Sequence, residues 1–145
     1  MKSLHLIRHA KSSWGNLEQS DIDRPLNQRG REACRIMARP IWDAGCDFTH
    51  VFCSAATRAQ MTIAGIAKAL PAQDIQWRVD EGLYTFSAQI LIAWVSNLDD
   101  ALEDVVIVGH NPATTGFINA VSDAQIENVS TCGYAQLSLP INLWQ

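Results

Sequence analysis

The sequence alternates short apolar runs with longer segments of helical periodicity, and this alternation is the strongest constraint on its fold. Apolar runs typical of β-strands cover residues 3–8, 50–54, 75–79, 104–110 and 134–139. Apolar residues recur at helical spacing in the segments 26–45, 55–70, 87–98 and 113–121. Strands that alternate with helices favour a parallel or mostly parallel sheet covered on both faces. We therefore predict an α/β chain built as a three-layer α/β/α sandwich.

Local signals refine the order and the ends of these elements. Asn27 is placed to cap the first helix, Pro40 is expected to kink or end it, and Gly45 provides a later stop. The run "DVVIVGH", residues 104–110, is almost entirely apolar, as is typical of a centrally buried parallel strand. Residues 134–139 alternate apolar and polar side chains. We expect this last strand at an edge of the sheet.

Length and charge bound the class of protein. A chain of 145 residues suits a single domain, residues 1–145. The net charge of −4 argues against nucleic acid or an anionic membrane as the main partner, because both bind basic surfaces. No apolar stretch approaches the roughly 20 residues of a membrane span, and the N-terminus lacks the pattern of a signal peptide. We expect a cytoplasmic monomer that binds neither nucleic acid nor membrane.

The four cysteines do not form a metal or redox motif in the sequence. Because they contain no C-x-x-C pair, a zinc site or a thioredoxin-type motif is not expected. We interpret them as reduced thiols that mostly fill the core. They are Cys34, Cys46, Cys53 and Cys132.

Three of the predicted strands end in polar residues with the chemistry of an anion site. The first ends in Arg8 and His9, the second in Ser54 with Arg58 one helical turn further on, and the fourth in Gly109-His110-Asn111. Ligands of open α/β sheets bind beyond the carboxyl ends of the strands, so these side chains should converge.

Guanidinium groups and imidazoles suit a phosphate dianion. Arg binds phosphate bidentately, and helix N-termini add backbone N–H donors. A neutral imidazole is also a competent nucleophile that can carry a phosphoryl group. A metal fits poorly, because two arginines flank the site and no carboxylate adjoins either histidine. We predict no metal and no cofactor.

The longest segment without a predicted element runs from Lys11 to Pro25. Polar loops of this length are usually functional or mobile. Trp14 lies in this loop beside the predicted site, where either lining the pocket or simple packing would explain it. Whether the Lys11–Pro25 loop contacts a substrate is left open by the sequence.

These motifs together resemble the histidine phosphatase superfamily, which has the phosphoglycerate mutase-like fold. The resemblance spans residues 4–139, and the short chain with its "RHAKS" motif is most similar to the SixA-like phosphohistidine phosphatases. The motifs that carry it are "LIRHAKSSW", "DIDRPLNQRG", "SAATRAQMTI", "EGLY" and "VVIVGHNP".

The resemblance implies a role for each matching residue. His9 would be the nucleophile that becomes phosphohistidine, Arg8 and Arg58 would bind phosphoryl oxygens, and His110 would complete the pocket. Asn111 would assist in binding phosphate or in orienting His110. The position of the family's proton donor matches Glu81 best, with Asp21 and Asp23 in the loop as alternatives.

Three functions of different kinds are compatible with these residues. The leading one is a phosphatase acting on phosphohistidine in a protein, such as a histidine-containing phosphotransfer domain, because so short a chain leaves no room for a lid beyond the loop. The second is a phosphatase of a small phosphorylated metabolite. The third is a catalytically weak phosphate-binding interaction module, which the complete set of two arginines and two histidines disfavours.

Overall fold

The computed structural model describes residues 1–16 and 18–145. In this part of the chain the strands are β1 (Lys2–Arg8), β2 (Val51–Ser54), β3 (Arg78–Asp80), β4 (Asp104–Gly109) and β5 (Tyr134–Leu139). The α-helices are α1 (Gln28–Asp43), α2 (Thr57–Ala69), α3 (Ala88–Ser96) and α4 (Ala113–Val121). Short 3-10 turns cover Asp21–Asp23, Pro71–Gln73 and Glu81–Leu83.

The strands form one sheet in the order β3-β2-β4-β1-β5. All neighbouring pairs are parallel except β1 and β5, which are antiparallel. Helices α1 and α2 pack together over one hydrophobic cluster, and α3 and α4 over a second. The predicted α/β/α sandwich with a mostly parallel sheet is confirmed.

Strand β4 lies at the centre of the sheet, between β1 and β2. Its residues Val105, Val106 and Val108 are fully buried. Helices cover both faces of this strand, which explains why its sequence is continuously apolar and does not alternate. The edge position predicted for residues 134–139 is also confirmed, since β5 pairs only with β1.

The third strand differs from the prediction of residues 75–79. Strand β3 covers only Arg78–Asp80, which pair with Phe52, Cys53 and Ser54 at the end of β2. Ile75 is buried, so its apolar character reflects packing outside the ladder. The partner strand β2 has only four residues, which limits how far β3 can pair.

Helix α1 begins as predicted, with Asn27 as its cap. The Asn27 side chain accepts a hydrogen bond from the Gly30 backbone N–H at 2.8 Å. The helix continues through Pro40 to Asp43, so Pro40 does not end it. Proline is tolerated here in the last turn. Gly45 follows with φ of 108°, a conformation that suits a glycine after a helix.

His5 and the four cysteines lie in the interior of the protein. His5 is fully buried within β1, where its Nδ1 lies 2.6 Å from the Tyr134 hydroxyl and its Nε2 2.8 Å from the Asp104 carboxylate. The four cysteines are buried free thiols. No helix in the described ranges 1–16 and 18–145 is long and apolar enough to cross a membrane.

Candidate active site

The register of the central strands brings the two site histidines together. Arg8 is the ladder partner of Gly109, and the His9 backbone N–H donates to the Gly109 carbonyl at 3.0 Å. The chain therefore leaves β1 and β4 at the same height, with His9 beside His110. Their ring centroids are 5.1 Å apart. The predicted convergence of these strand ends is present in the structure.

His9 is oriented as a nucleophile by a bond to its own neighbour. Its Nδ1 lies 2.7 Å from the Ala10 carbonyl oxygen. A carbonyl can only accept, so Nδ1 carries the ring proton and Nε2 keeps a free lone pair. Burial and the nearby charges of Arg58 and Arg8 lower the pKa of His9 to about 4, against the opposing bond to Ala10. At neutral pH the ring is therefore uncharged and nucleophilic.

A buried hydroxyl ties this nucleophile strand to helix α2. The Ala10 backbone N–H donates to the Thr62 Oγ1 at 2.9 Å, and the Thr62 hydroxyl donates to the Arg58 carbonyl at 2.7 Å. Thr62 is fully buried. The strand that carries the nucleophile and the helix that carries Arg58 are thus held in a fixed relation.

The guanidinium groups of Arg8 and Arg58 are bonded to neighbouring residues through their Nη atoms. The Arg8 Nη1 donates to the Val129 carbonyl at 2.7 Å. The Arg58 Nη1 and Nη2 donate to the Asp21 carbonyl and carboxylate at 2.6 and 2.9 Å. In both arginines the Nε is buried and has no partner among the described residues. Each guanidinium therefore keeps a donor that an additional acceptor could use.

His110 has the same arrangement of one held and one free nitrogen. Its Nε2 lies 2.7 Å from the Ser54 hydroxyl oxygen, whereas Nδ1 is buried without a partner in the described part of the chain. Burial, followed by the neighbouring His9 and Arg58, lowers the pKa of His110 to about 3. Tyr84 and Phe86 pack edge-on against its ring.

Three buried nitrogens without partners among the described residues thus belong to one small site. Buried N–H groups are almost always hydrogen-bonded, because an unpaired one costs about 1–3 kcal/mol. Arg8 Nε and Arg58 Nε are exceptions that an oxyanion would satisfy, and His110 Nδ1 would join them if it carries the ring proton. Two guanidinium charges beside them suit a phosphoryl group or an analogue. Within residues 1–16 and 18–145, no cluster of His, Cys, Asp or Glu is arranged to hold a metal ion.

Asp21 is the carboxylate that the structure brings to this pocket. Besides Arg58, its carboxylate accepts from the Arg24 Nη2 at 3.1 Å and from the Tyr84 hydroxyl at 2.5 Å. Partial burial opposes ionisation, but the bonds from Tyr84, Arg58 and Arg24 outweigh it. The pKa of Asp21 therefore falls to about 2. Asp21 is ionised at neutral pH and anchors Arg58.

The side chain of Asn111 is engaged in structural bonds. Its amide nitrogen donates to Asn128 Oδ1 and to the Val129 carbonyl, at 2.7 and 3.2 Å, and its oxygen accepts from Thr115. The same Val129 carbonyl holds Arg8. Asn111 therefore acts on the pocket through the loop that positions Arg8, and direct phosphate binding by its side chain stays a prediction.

Glu81 lies at the start of a 3-10 turn and is exposed. Its carboxylate makes no hydrogen bond or ion pair with the residues that the structure describes. Among the described residues, the Asp23 side chain accepts a hydrogen bond from the Ser20 hydroxyl alone, at 2.7 Å. Of the three candidate proton donors, Asp21 alone is bonded to pocket residues, and the role of Glu81 stays a prediction.

The Lys11–Pro25 loop is tied down at both ends. The Asn27 N–H donates to the Lys11 carbonyl, and the Ser13 N–H donates to the Pro25 carbonyl at 2.8 Å. Within the loop, Arg24 donates to the Ser12 hydroxyl at 2.8 Å and its guanidinium lies 3.5 Å from the ring centre of Trp14. Trp14 is 70% exposed, and its contact with Arg24, which is bonded to Asp21, places it beside the pocket.

The sequence placed Ser54 at the converging strand ends without a partner, and it assigned no role to three other residues that build this site: Tyr84, Arg24 and Val129. A strand-end serine or a rim tyrosine has no distinctive spacing. Val129 contributes a backbone carbonyl that its side chain does not reveal. Arg24 follows Asp21 by three residues, a spacing that permits an ion pair within a turn. That spacing was the one available signal.

With this geometry established, the comparisons with known proteins define its class. The sequence profile of the histidine phosphatase superfamily (branch 1) matches residues 4–89. An uncharacterised protein of Mycobacterium tuberculosis is 31% identical over 147 residues, covering 90% of this chain and 85% of the relative. The chain therefore belongs to the histidine phosphatase superfamily, which supports a phosphatase activity.

Solved structures share the fold across nearly the whole chain. A protein from Agrobacterium tumefaciens assigned as the phosphohistidine phosphatase SixA superposes with a TM-score of 0.81 at 24% identity, covering 93% of this chain and 90% of the other. A protein histidine phosphatase SixA complexed with tungstate gives 0.78 at 19% identity, with 94% and 88% covered.

A mycobacterial glucosyl-3-phosphoglycerate phosphatase gives 0.69 at 15% identity, with 95% and 91% covered. The predicted likeness to SixA is confirmed as a likeness of fold. Proteins with this fold act on both kinds of substrate.

Proposed function

We propose that this protein is a phosphatase that transfers a phosphoryl group to Nε2 of His9 and then to water, and that its substrate is phosphohistidine in a protein. In the first step the Nε2–P bond forms as the bond between phosphorus and the leaving imidazole breaks. In the second step water attacks phosphorus, inorganic phosphate leaves, and His9 regains its lone pair.

The observation that carries this proposal is the set of three buried nitrogens, without partners among the described residues, beside a neutral imidazole. Arg8 Nε, Arg58 Nε and His110 Nδ1 would each receive one phosphoryl oxygen. Nε2 of His9 is the lone pair left free by the bond to Ala10. Such a site stabilises the charge that spreads over the phosphoryl oxygens and supplies the attacking atom. No step in this scheme uses a metal.

The ionised state of Asp21 favours phosphohistidine over an alkyl phosphate. A carboxyl group with a pKa of about 2 is a poor proton donor at neutral pH. Alkoxide leaving groups depend on such a donor, because they are strong bases. A phosphorylated imidazole can take up a proton on its other ring nitrogen and leave as neutral imidazole. It therefore needs less help from the enzyme.

The open rim of the site fits a phosphoryl group presented on a protein surface. This rim comprises Phe86, which packs against His110 and is 46% exposed, and Trp14, which stacks on Arg24 and is 70% exposed. Exposed aromatic side chains are enriched where proteins bind other proteins. We propose a cytoplasmic monomer that meets its phosphorylated partner through this rim.

Two measurements test this proposal. The first traps the phosphoenzyme by an alkaline quench after brief exposure to a labelled substrate, and then compares the stability of the label in acid and in alkali. A phosphohistidine is labile to acid and stable to alkali, and His9→Ala should abolish the label. His50→Ala is the matched control, because His50 is an exposed histidine away from the site. If His9→Ala kept full phosphatase activity, the covalent mechanism would be wrong.

The second measurement compares kcat/KM for a phosphohistidine-bearing protein, p-nitrophenyl phosphate and a panel of sugar phosphates and phosphoglycerates. We expect the phosphohistidine protein to be preferred and the alkyl phosphates to react slowest. A clear preference for one alkyl phosphate would replace the substrate assignment with the second candidate.

That second candidate is a phosphatase of a small phosphorylated metabolite. Arg24 favours it, because this buried third guanidinium, which is bonded to Ser12 and Asp21, adds positive charge beside the pocket for a small substrate that carries a carboxylate or second phosphate. The glucosyl-3-phosphoglycerate phosphatase with the same fold acts on such a compound.

A further inference from the structure

Ser54 is a fully buried serine at the end of β2, and its hydroxyl oxygen lies 2.7 Å from Nε2 of His110. Strand β2 pairs in parallel with β4, with Cys53 opposite Val108, so the end of β2 lies beside the end of β4, which His110 follows. We propose that Ser54 is a positioning residue that fixes the tautomer of His110, so that the ring proton sits on Nδ1 and is offered to the phosphoryl group.

The hydrogen-bonding capacity of Ser54 selects this tautomer. Its oxygen already accepts a bond from the Ala56 N–H at 3.2 Å. If the hydroxyl donates to Nε2, then His110 carries its proton on Nδ1 and the serine is fully used. If Nε2 carried the proton, the buried Ser54 hydroxyl hydrogen would have no acceptor among the described residues. The first arrangement leaves fewer buried groups unpaired.

The tautomer matters because His110 is neutral. Burial and the neighbouring His9 keep the pKa of His110 at about 3, so near pH 7 the ring has a single proton to place. With the proton on Nδ1, this nitrogen can donate a hydrogen bond to a phosphoryl oxygen. With the proton on Nε2, the same Nδ1 would present a lone pair to that oxygen and repel it. One buried hydroxyl therefore decides between attraction and repulsion.

Ser54 also links this choice to the position of Arg58. The Ala56 N–H that donates to Ser54 lies just before helix α2, which begins at Thr57 and carries Arg58 in its first turn. The helix thus starts at a fixed place relative to the His110 ring. Ser54 therefore contacts both the ring of His110 and the backbone just before the helix that carries Arg58.

The test combines a spectroscopic readout with anion binding. Long-range ¹H–¹⁵N correlation spectra at pH 7 report which ring nitrogen of His110 is protonated, and assignment uses the loss of the signals in His110→Asn. We expect Nδ1–H in the wild type and a shift toward Nε2–H in Ser54→Ala. Tungstate affinity, measured by calorimetry, should fall about tenfold or more in Ser54→Ala, because one donor to a charged ligand is lost.

Thr114→Val is the matched control. The Thr114 hydroxyl is buried and also touches His110, but it donates to the backbone carbonyl at 2.9 Å and not to the ring. This variant should keep the wild-type tautomer and tungstate affinity. Ser54→Cys, which keeps a weak donor of similar size, should fall between the wild type and Ser54→Ala.

Ser54 has a role in catalysis only if the proposed phosphatase function holds. The tautomer of His110 and the tungstate affinity can be measured without turnover. If the phosphatase assays failed while Nδ1–H and the tungstate loss were observed, the proposed function alone would be at fault. A wild-type spectrum with His110 protonated on Nε2 would overturn the role of Ser54, whether or not the variants fold. So would a Ser54→Ala protein with wild-type tautomer and affinity.

Discussion

Acidification from pH 7 to pH 5 is expected to destabilise this protein by about 4 kcal/mol through His9 and His110 alone. The ordinary pKa of a histidine is 6.5, whereas burial lowers the pKa of His9 to about 4 and that of His110 to about 3. Between those pKa values and pH 6.5, the two histidines bind protons in the unfolded chain but not in the folded protein. The free energy of unfolding therefore decreases as the pH decreases.

The magnitude follows from the width of that window. One pH unit corresponds to about 1.4 kcal/mol for each proton taken up by the unfolded state alone. A pH of 5 is about 1.5 units below the ordinary pKa of a histidine, so each of the two histidines lowers the free energy of unfolding by about 2 kcal/mol. Small domains have only about 5–15 kcal/mol in total, so the loss would be a large fraction.

Urea unfolding followed by tryptophan fluorescence at pH 7 and pH 5 measures this difference. His9→Asn and His110→Asn each remove one titrating ring, so each variant should show about 2 kcal/mol less pH dependence than the wild type. Thr114→Val alters the same turn without removing an imidazole and should keep the wild-type pH dependence. If His110→Asn were as pH-dependent as the wild type, the reasoning from its burial would be refuted.

Three further predictions concern the loop, the carboxylate and the nucleophile. Gly30→Ala should lower the free energy of unfolding by about 1–3 kcal/mol, because its Cβ would lie 2.1 Å from the Lys11 carbonyl oxygen. Gly15→Ala is the control: among the described residues its Cβ would meet the Ser13 side chain alone, at 3.3 Å, so the same urea titration should show a smaller loss. Tyr84→Phe should raise the pKa of Asp21, since it removes one of the bonds that stabilise the carboxylate, and an unchanged carboxyl ¹³C titration would contradict this. The kcat/KM for p-nitrophenyl phosphate should decrease as the pH falls through about 4, where His9 becomes protonated, and a constant rate across that range would count against His9 as the nucleophile.

Much of the architecture was predictable because it depends on local pattern. The continuous apolar run of β4, the cap at Asn27 and the edge position of β5 each follow from side chains that are close in sequence. The end of β3 was not predictable in this way. Its length depends on how many residues of β2 are available to pair, and the strand sequence does not contain that information.

The site likewise has features that the sequence predicts and features that only the folded structure decides. The sequence by itself determined that Arg8, His9, Arg58 and His110 would converge, because parallel strands deliver their carboxyl ends to one edge and each of these residues follows such an end.

Only the tertiary structure decided the chemical state of those groups. The proton position of His9 depends on the Ala10 carbonyl, the free Nε of Arg58 on Asp21, and the state of His110 on burial and on Ser54. These partners come from separate parts of the chain or from its backbone. Their effect is set by distances of about 3 Å and by exclusion of water, and the folded structure alone fixes both.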